Sequence, residues 1–283
     1  MKKVALIFLF PAVSAVEAQS YKVNYEMKWK PQKEATNYLT EDFVLLLKED
    51  KTSDFLPLEK YRSDSIKTAM LKRIRQGGGE MSLRYGKTIH NEIISKDLTN
   101  KKIIFEKQLF DKLFAVDENC PMEWKIIDGQ ENYLNFSAQK ATTEFGGRSW
   151  TAWFIGEVPI ADGPYKFHGL PGLIVKIEDA TGEYAYRMTG LTAQSVDISE
   201  RNFGNGQPIK IGRTKWNEIW ERYKKEPSSV MGYQESSSDG GWTTKAFVGG
   251  NPSDPAFRRN FDQKQREHLR NFENPIEPKP SCK

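Results

Sequence analysis

The 283-residue chain has very little of what metal centres and nucleophilic sites are built from, with only three histidines and two cysteines. His90, His168 and His268 stand in no His-x-His or His-Glu-x-x-His spacing, so a zinc site has no local support. No Gly-x-Ser-x-Gly stretch is present either, which leaves a serine-hydrolase elbow without its signature. Past the first 18 residues the longest apolar run is Phe43 to Leu47, far short of the roughly 20 residues that span a bilayer as a helix. Charge of one sign is also missing: 42 basic residues against 38 acidic ones give a net +4. Nucleic-acid backbones demand a concentrated basic face, and this balance argues against an obligate nucleic-acid partner. No internal repeat divides the chain.

What is present begins at the N-terminus. Lys2 and Lys3 precede an apolar run from Val4 to Val16, and Val16 and Ala18 put small residues at the −3 and −1 sites before Gln19. The pattern predicts a secretory signal peptide over 1–18, followed by a single β-rich domain over 19–283. With no cysteine near that cleavage site, a lipid anchor is not expected, and the mature chain reads as exported, periplasmic or secreted, and soluble. In such a compartment Cys120 and Cys282 can pair, stay free or bond between chains. Pairing would close a loop of more than half the chain and remove about 4–5 kcal/mol of unfolded-state entropy. The Pro-rich tail around Cys282, Pro275 to Pro280, reads as flexible.

Strand signals dominate. Tyr21, Val23, Tyr25, Met27 and Trp29 occupy every second position with polar residues between them, the mark of a half-buried strand. Further strand patterns run over 43–47, 89–94, 103–109, 124–127, 149–155, 173–177 and 184–188, separated by Gly, Asp and Pro clusters. Helical spacing appears over Asp64 to Gln76, ending at Gly77-Gly78-Gly79. A second helix follows Thr214 as cap, with Trp216, Ile219, Trp220 and Tyr223 in one stripe, and a third covers Pro255 to Phe272. Ser228 to Asp254 reads as a mobile loop. The pattern predicts a mainly β (α+β) fold: a curved, many-stranded antiparallel sheet with two or three packed helices, approximating the half-open barrels of envelope lipid and lipoprotein carriers.

The densest local signal is Gly163 to Ile174. Pro171 presets φ and Gly172 accepts φ > 0, which predicts a type II turn feeding a strand at Leu173. A phosphate-cradling loop should feed a helix instead, so no cofactor is expected here. The run Gly169-Leu170-Pro171-Gly172-Leu173-Ile174 resembles the motif of the GLPGLI family of secreted bacterial proteins. Gln139-Lys140-Ala141-Thr142-Thr143, Phe145-Gly146-Gly147-Arg148, Ala152-Trp153-Phe154 and Gly163-Pro164-Tyr165-Lys166-Phe167 are similar to that family too. So are Tyr61 to Ser65 and Asn274 to Glu277 near the two ends. A family cysteine before the Gln-Lys-Ala stretch is Ala138 here, so nothing attached to that cysteine transfers. The resemblance implies an exported protein of a kind often encoded beside outer-membrane TonB-dependent receptors, and it assigns no reaction.

Aromatic residues make up 12% of the chain. Trp150 and Phe154 share one face of a strand and Trp153 takes the other, so one face must meet core and the other a helix, a partner or a ligand. The ordinary expectation is that the Trp216–Tyr223 helix covers it. The sharper one makes Trp150, Trp153 and Phe154 a surface for an apolar ligand or a peptide. Adjacent acids such as Glu178 and Asp179 point to opposite sides of a strand and cannot act as a pair. The resulting expectation is a non-catalytic, cofactor-free accessory or binding protein of the cell envelope, serving an outer-membrane receptor or taking a peptide or apolar ligand. The alternatives are an envelope hydrolase with a carboxylate pair assembled from distant strands, and a structural interaction module.

Overall fold

The computed structural model describes residues 20–78, 86, 88–194, 197–199, 201, 207–232, 251–280 and 282. The expected signal peptide and the core of the expected mobile loop, 233–250, lie outside the described residues. Twelve strands appear: β1 (Tyr21–Trp29), β2 (Leu39–Leu47), β3 (Thr52–Pro57), β4 (Ile93–Asp97), β5 (Lys102–Leu109), β6 (Lys112–Glu118), β7 (Lys125–Tyr133), β8 (Phe136–Phe145), β9 (Arg148–Ile155), β10 (Leu173–Asp179), β11 (Tyr184–Ala193) and β12 (Ile209–Gly212). Three α-helices join them: α1 (Leu58–Arg75), α2 (Arg213–Lys225) and α3 (Pro255–Asn271).

All twelve strands form one sheet in the order β12-β6-β5-β4-β3-β2-β1-β11-β10-β9-β8-β7. Every pairing is antiparallel except β12 with β6, and the two ends of the sheet do not meet, so it is open and mixed. Curvature follows from the packing. One apolar cluster gathers inward residues of β1 to β5 with those of β8 to β11, which a flat sheet of this width could not bring together. The alternating residues of β1 are all on that inner face: Val23, Tyr25, Met27 and Trp29 are buried, while Lys28 between them is exposed. On the outer face α1 covers Val44, Leu46 and Leu56. Helix α2 covers Leu109, Phe114 and Val116 through Trp216 and Tyr223, and Leu269 of α3 packs against the same cluster.

Several sequence expectations are corrected in detail. Helix α1 begins at Leu58, one turn and more before Asp64. Only Ile93 onward of the 89–94 stretch is strand. Helix α2 starts after Gly212, with no side-chain cap, so Thr214 does not fill that role. Pro227–Gly232 forms a short 3-10 helix at the start of the expected loop.

The connection from β9 to β10 turns back over the inner face and fills part of the concavity. Tyr165, Phe167 and Leu170 are buried there, and the Phe167 ring lies 4.8 Å from that of Trp150. Buried ionic contacts fix this plug. Lys96 of β4 donates to the carbonyls of Gly163 (2.6 Å) and Tyr165 (3.1 Å) and pairs with Asp162, which also accepts from Ser53 Oγ at 2.5 Å.

The corner at 169–174 is tight, but it is not a type II turn. The Leu173 N–H donates to Val158 O (3.1 Å) instead of returning to Leu170, and Gly172 N–H donates to Leu170 O at 2.8 Å. Glycine at 172 answers a close approach. A Cβ there would stand 2.2 Å from the Ile155 carbonyl oxygen, a backbone atom that cannot swing away. Gly172→Ala is therefore expected to cost on the order of 3 kcal/mol, seen as a lowered melting temperature with ligand binding intact in the folded fraction. Unchanged melting would show that the β9–β10 corner is looser than described.

Candidate functional site

Two features stand out once the plug is in place: the clamp that holds the C-terminal tail, and the space the plug leaves open. The tail is docked along its length, correcting the expectation of flexibility. Cys120 and Cys282 form a disulfide with Cα atoms 4.3 Å apart. Arg148 donates to Asn274 Oδ1 (2.6 Å) and Pro275 O (3.0 Å) while pairing with Asp179 and Glu183, both at 2.7 Å. Lys166 Nζ sits between Glu118 (2.6 Å) and Glu277 (2.7 Å), with Arg213 on the far side of Glu118 and Tyr165 Oη on Glu277. Burial pushes the Glu277 carboxyl up, but Lys166 and Tyr165 together hold it below the usual carboxylate range. Gly146, at φ 66°, lets the tail lie close, because a Cβ would stand 2.9 Å from Glu277 Cγ.

Opposite the plug a cavity of about 260 Å³ remains on the inner face. Its floor is apolar and aromatic: Met27 and Trp29 of β1, Phe43 of β2, Phe55 of β3, Ile94 of β4, and Tyr184 and Tyr186 of β11. Phe43 and Phe55 stack at 5.0 Å with an interplanar angle of 1°, and Tyr186 meets both edge-on. The wall is made by Trp220 and Tyr223 of α2, Leu269 of α3 with Phe272 at its end, and Asn274 to Ile276 of the clamped tail. Tyr184 ties floor to tail by donating to the Asn274 carbonyl.

Charged groups cluster at one side of the cavity. His90 Nδ1 lies 2.7 Å from Glu41 Oε2, with its ring edge-on to Trp29 at 4.9 Å. Glu92 Oε2 accepts from Lys107 Nζ (3.3 Å) and from the Asn91 N–H (3.0 Å). Burial alone would raise the Glu92 carboxyl, yet Lys107 and His90 lower it to about 2, so it is an anion at every physiological pH. His268 is held below its ordinary value by burial and by Lys107 and His90, and so is neutral at pH 7.

The aromatics expected to form a ligand surface are elsewhere. Trp150 and Phe154 are each 1% exposed and face the plug side of the core, and none of Trp150, Trp153 and Phe154 lines the cavity. Trp153 faces outward, 7% exposed, but helix α2 does not cover it. Lys140 and Lys176, its direct neighbours on β8 and β10, lay their side chains over its ring, with Nζ at 5.2 and 3.9 Å from the centroid. A surface role for these three is thereby corrected. Gly169 to Ile174 form the corner, away from any described opening. His168 turns its Nδ1 to Lys166 O at 2.8 Å. Among the described residues, the metal-like grouping Glu118, Cys120 and Cys282 is taken up by the disulfide and the Lys166 and Arg213 pairs. Glu178 and Asp179 do part, Asp179 to Arg148 and Glu178 to Lys176.

Besides the carboxylate pairs on Arg148 and Lys166, sequence reading missed a third pair bridged by one cation. Asp54 of β3 and Glu106 of β5 are bridged by Arg201, at 3.0 and 3.6 Å. Burial, with Asp54 nearby, raises the Glu106 carboxyl against the pull of Arg201, whereas Asp54 stays below the ordinary range because Arg201 and Lys48 outweigh its burial. The pair is buried away from the cavity and serves the packing of this side of the sheet.

The fold and the cavity define a class: an open, curved sheet wrapped around a plug and a partly open aromatic space. A family model described as "Protein of unknown function (Porph_ging)" matches residues 112–176, which include β6 to β9, the plug and the corner. No curated protein matches the chain in sequence. The solved structure of PNGF-II superposes with a TM-score of 0.51 at 12% identity in both its P21 and C2 crystal forms, covering 72% of this chain. The match takes in 34% and 33% of the two PNGF-II chains, so this protein spans about a third of their length. At that identity the likeness speaks for the fold alone. The LolA superfamily protein NE2245 from Nitrosomonas europaea aligns over 65% of this chain and 90% of its own at 9% identity, with a TM-score of 0.28 that carries no argument.

Proposed function

We propose that this is an exported cell-envelope binding protein that holds an apolar small molecule in the aromatic cavity. The observation that carries the reading is the cavity: a concave, partly open space floored by aromatic side chains, with polar groups among its other lining residues, a form that small-molecule sites commonly take. The disulfide supports an oxidising compartment, as does the signal-peptide pattern over 1–18. Mature chains would begin at Gln19 without a lipid anchor, in the periplasm or outside the cell. The GLPGLI-like stretch supports an outer-membrane receptor as the partner that delivers or receives the ligand. The reading is one of binding without turnover, because the charged groups that line the cavity are engaged in structural pairs, His90 with Glu41 and Glu92 with Lys107.

Leu269 offers a direct test. It is half-buried on the cavity wall, so Leu269→Trp should fill the space without breaking a buried polar contact. Fluorescence titration with 1-N-phenylnaphthylamine should show one saturable site in the unaltered protein and a loss of at least roughly tenfold in affinity for the variant at equal folded fraction. Equal affinities would place the probe elsewhere and remove the basis of the reading.

A further inference from the structure

Five tyrosines are buried among the described residues: Tyr25, Tyr165, Tyr184, Tyr186 and Tyr223. Four donate a hydrogen bond. Tyr25 reaches Ile174 O at 2.6 Å, Tyr165 reaches Glu277, Tyr184 reaches Asn274 O, and Tyr223 reaches Gln265 Oε1 at 3.0 Å. Tyr186 is the exception. It is 2% exposed and lines the cavity, and its hydroxyl has no hydrogen-bond partner among the described residues. A hydroxyl that no side chain engages is left to whatever occupies the cavity it lines.

The sheet explains why no protein acceptor is at hand. Tyr186 stands opposite Met27 across the β1–β11 pairing, and its ring meets the stacked rings of Phe43 and Phe55 edge-on. None of these neighbours offers a side-chain oxygen. The next inward residue of β1, Trp29, presents an indole N–H that likewise lacks an acceptor among the described residues. The cavity floor thus carries two donors, Tyr186 Oη and Trp29 Nε1, for which no hydrogen-bond partner stands among the described residues. Burial, and after it Tyr184, Glu92 and Glu41, raise the Tyr186 phenol well above its ordinary value, so it stays protonated and can donate. Of the cations that line the cavity, Lys107 is paired with Glu92 and His90 with Glu41, so neither is free to neutralise an anionic ligand group.

Resting on the binding reading above, we propose that the ligand is an uncharged, largely apolar molecule bearing a carbonyl oxygen, and that this oxygen accepts a hydrogen bond from Tyr186 Oη. The apolar body fills the space between the sheet floor and the wall of α3 and tail, and the oxygen selects among apolar molecules of equal size.

The test is calorimetric titration of the full exported chain with three matched probes: 2-acetylnaphthalene, 2-ethylnaphthalene and 2-naphthoate. The ketone should bind about 5- to 10-fold tighter than the hydrocarbon, and the carboxylate weakest of the three. In Tyr186→Phe the preference for the ketone should vanish while hydrocarbon affinity and melting temperature hold, since the variant removes an unpaired group and no packing atom. If the hydrocarbon binds as well as the ketone, or the carboxylate binds best, the ligand chemistry is wrong and the binding reading survives. If none of the three binds, both fall. The comparison among probes on the unaltered protein decides the matter even if the variant folds poorly.

Discussion

Replacing Cys120 and Cys282 together by serine should lower the stability of the folded chain by about 4–5 kcal/mol, roughly 10–20 °C in melting temperature. The bond links residues 162 apart in sequence, so its loss frees a very long loop in the unfolded state. The effect should also be functional. Asn274 to Ile276 form part of the cavity wall, and Cys282 is the tail's covalent anchor beyond them. The double variant should therefore bind 1-N-phenylnaphthylamine more weakly, and a reducing agent should reproduce both changes in the unaltered protein. If melting and binding were both unmoved, the Arg148 and Lys166 contacts alone would be holding the tail.

The second large effect is at Lys166. Its ammonium is 1% exposed and is the shared cation between Glu118 and Glu277. Lys166→Met keeps the volume and removes the charge, leaving Arg213 to Glu118 but no cation on Glu277. Breaking a buried ionic group on one side costs about 3–5 kcal/mol. The pH dependence separates this from simple loss of packing. In the unaltered protein Glu277 is held below the ordinary carboxylate value, so its contribution is present above the unfolded pKa and is lost as pH falls through the lower folded one. In the variant only the Tyr165 hydrogen bond and the more distant Arg213 oppose burial, so Glu277 is raised relative to the unaltered protein, and protonation at falling pH relieves the penalty. The gap in melting temperature between the two proteins should thus narrow from pH 7 to pH 4. A gap that stayed constant would mean the Lys166 side chain matters for its packing and not for its charge.

Both effects depend on residues whose partners are far apart in the chain, which is where sequence reading stopped. Strand β1 was legible because large side chains alternate with polar ones from Tyr21 to Trp29. Strand β8 left a weak trace, since its buried residues Ala138 and Ala141 are small and give no hydrophobic pattern. Strand β3 was hidden for the opposite reason: Ser53 and Asp54 are buried polar residues, tied to Asp162 and Arg201, and they break the hydrophobic pattern. Trp150 and Phe154 were correctly placed on one face of β9, but periodicity cannot say which face is covered, nor that two lysines would cover Trp153. The Gly163–Ile174 stretch was legible as a structural corner and not as a plug, because its anchor Lys96 lies on β4. The cavity itself had no local signal. Its floor residues come from five strands and all look like ordinary core, and what distinguishes them is that no side chain fills the space above.

Native mass spectrometry of the protein isolated from the cell envelope without detergent tests that central claim most directly. The account predicts the mass of a chain beginning at Gln19 plus one small uncharged molecule, the added mass disappearing on denaturation and absent from Leu269→Trp. A bare polypeptide mass for the unaltered protein, unchanged after incubation with a lipid extract of the same envelope, would contradict it.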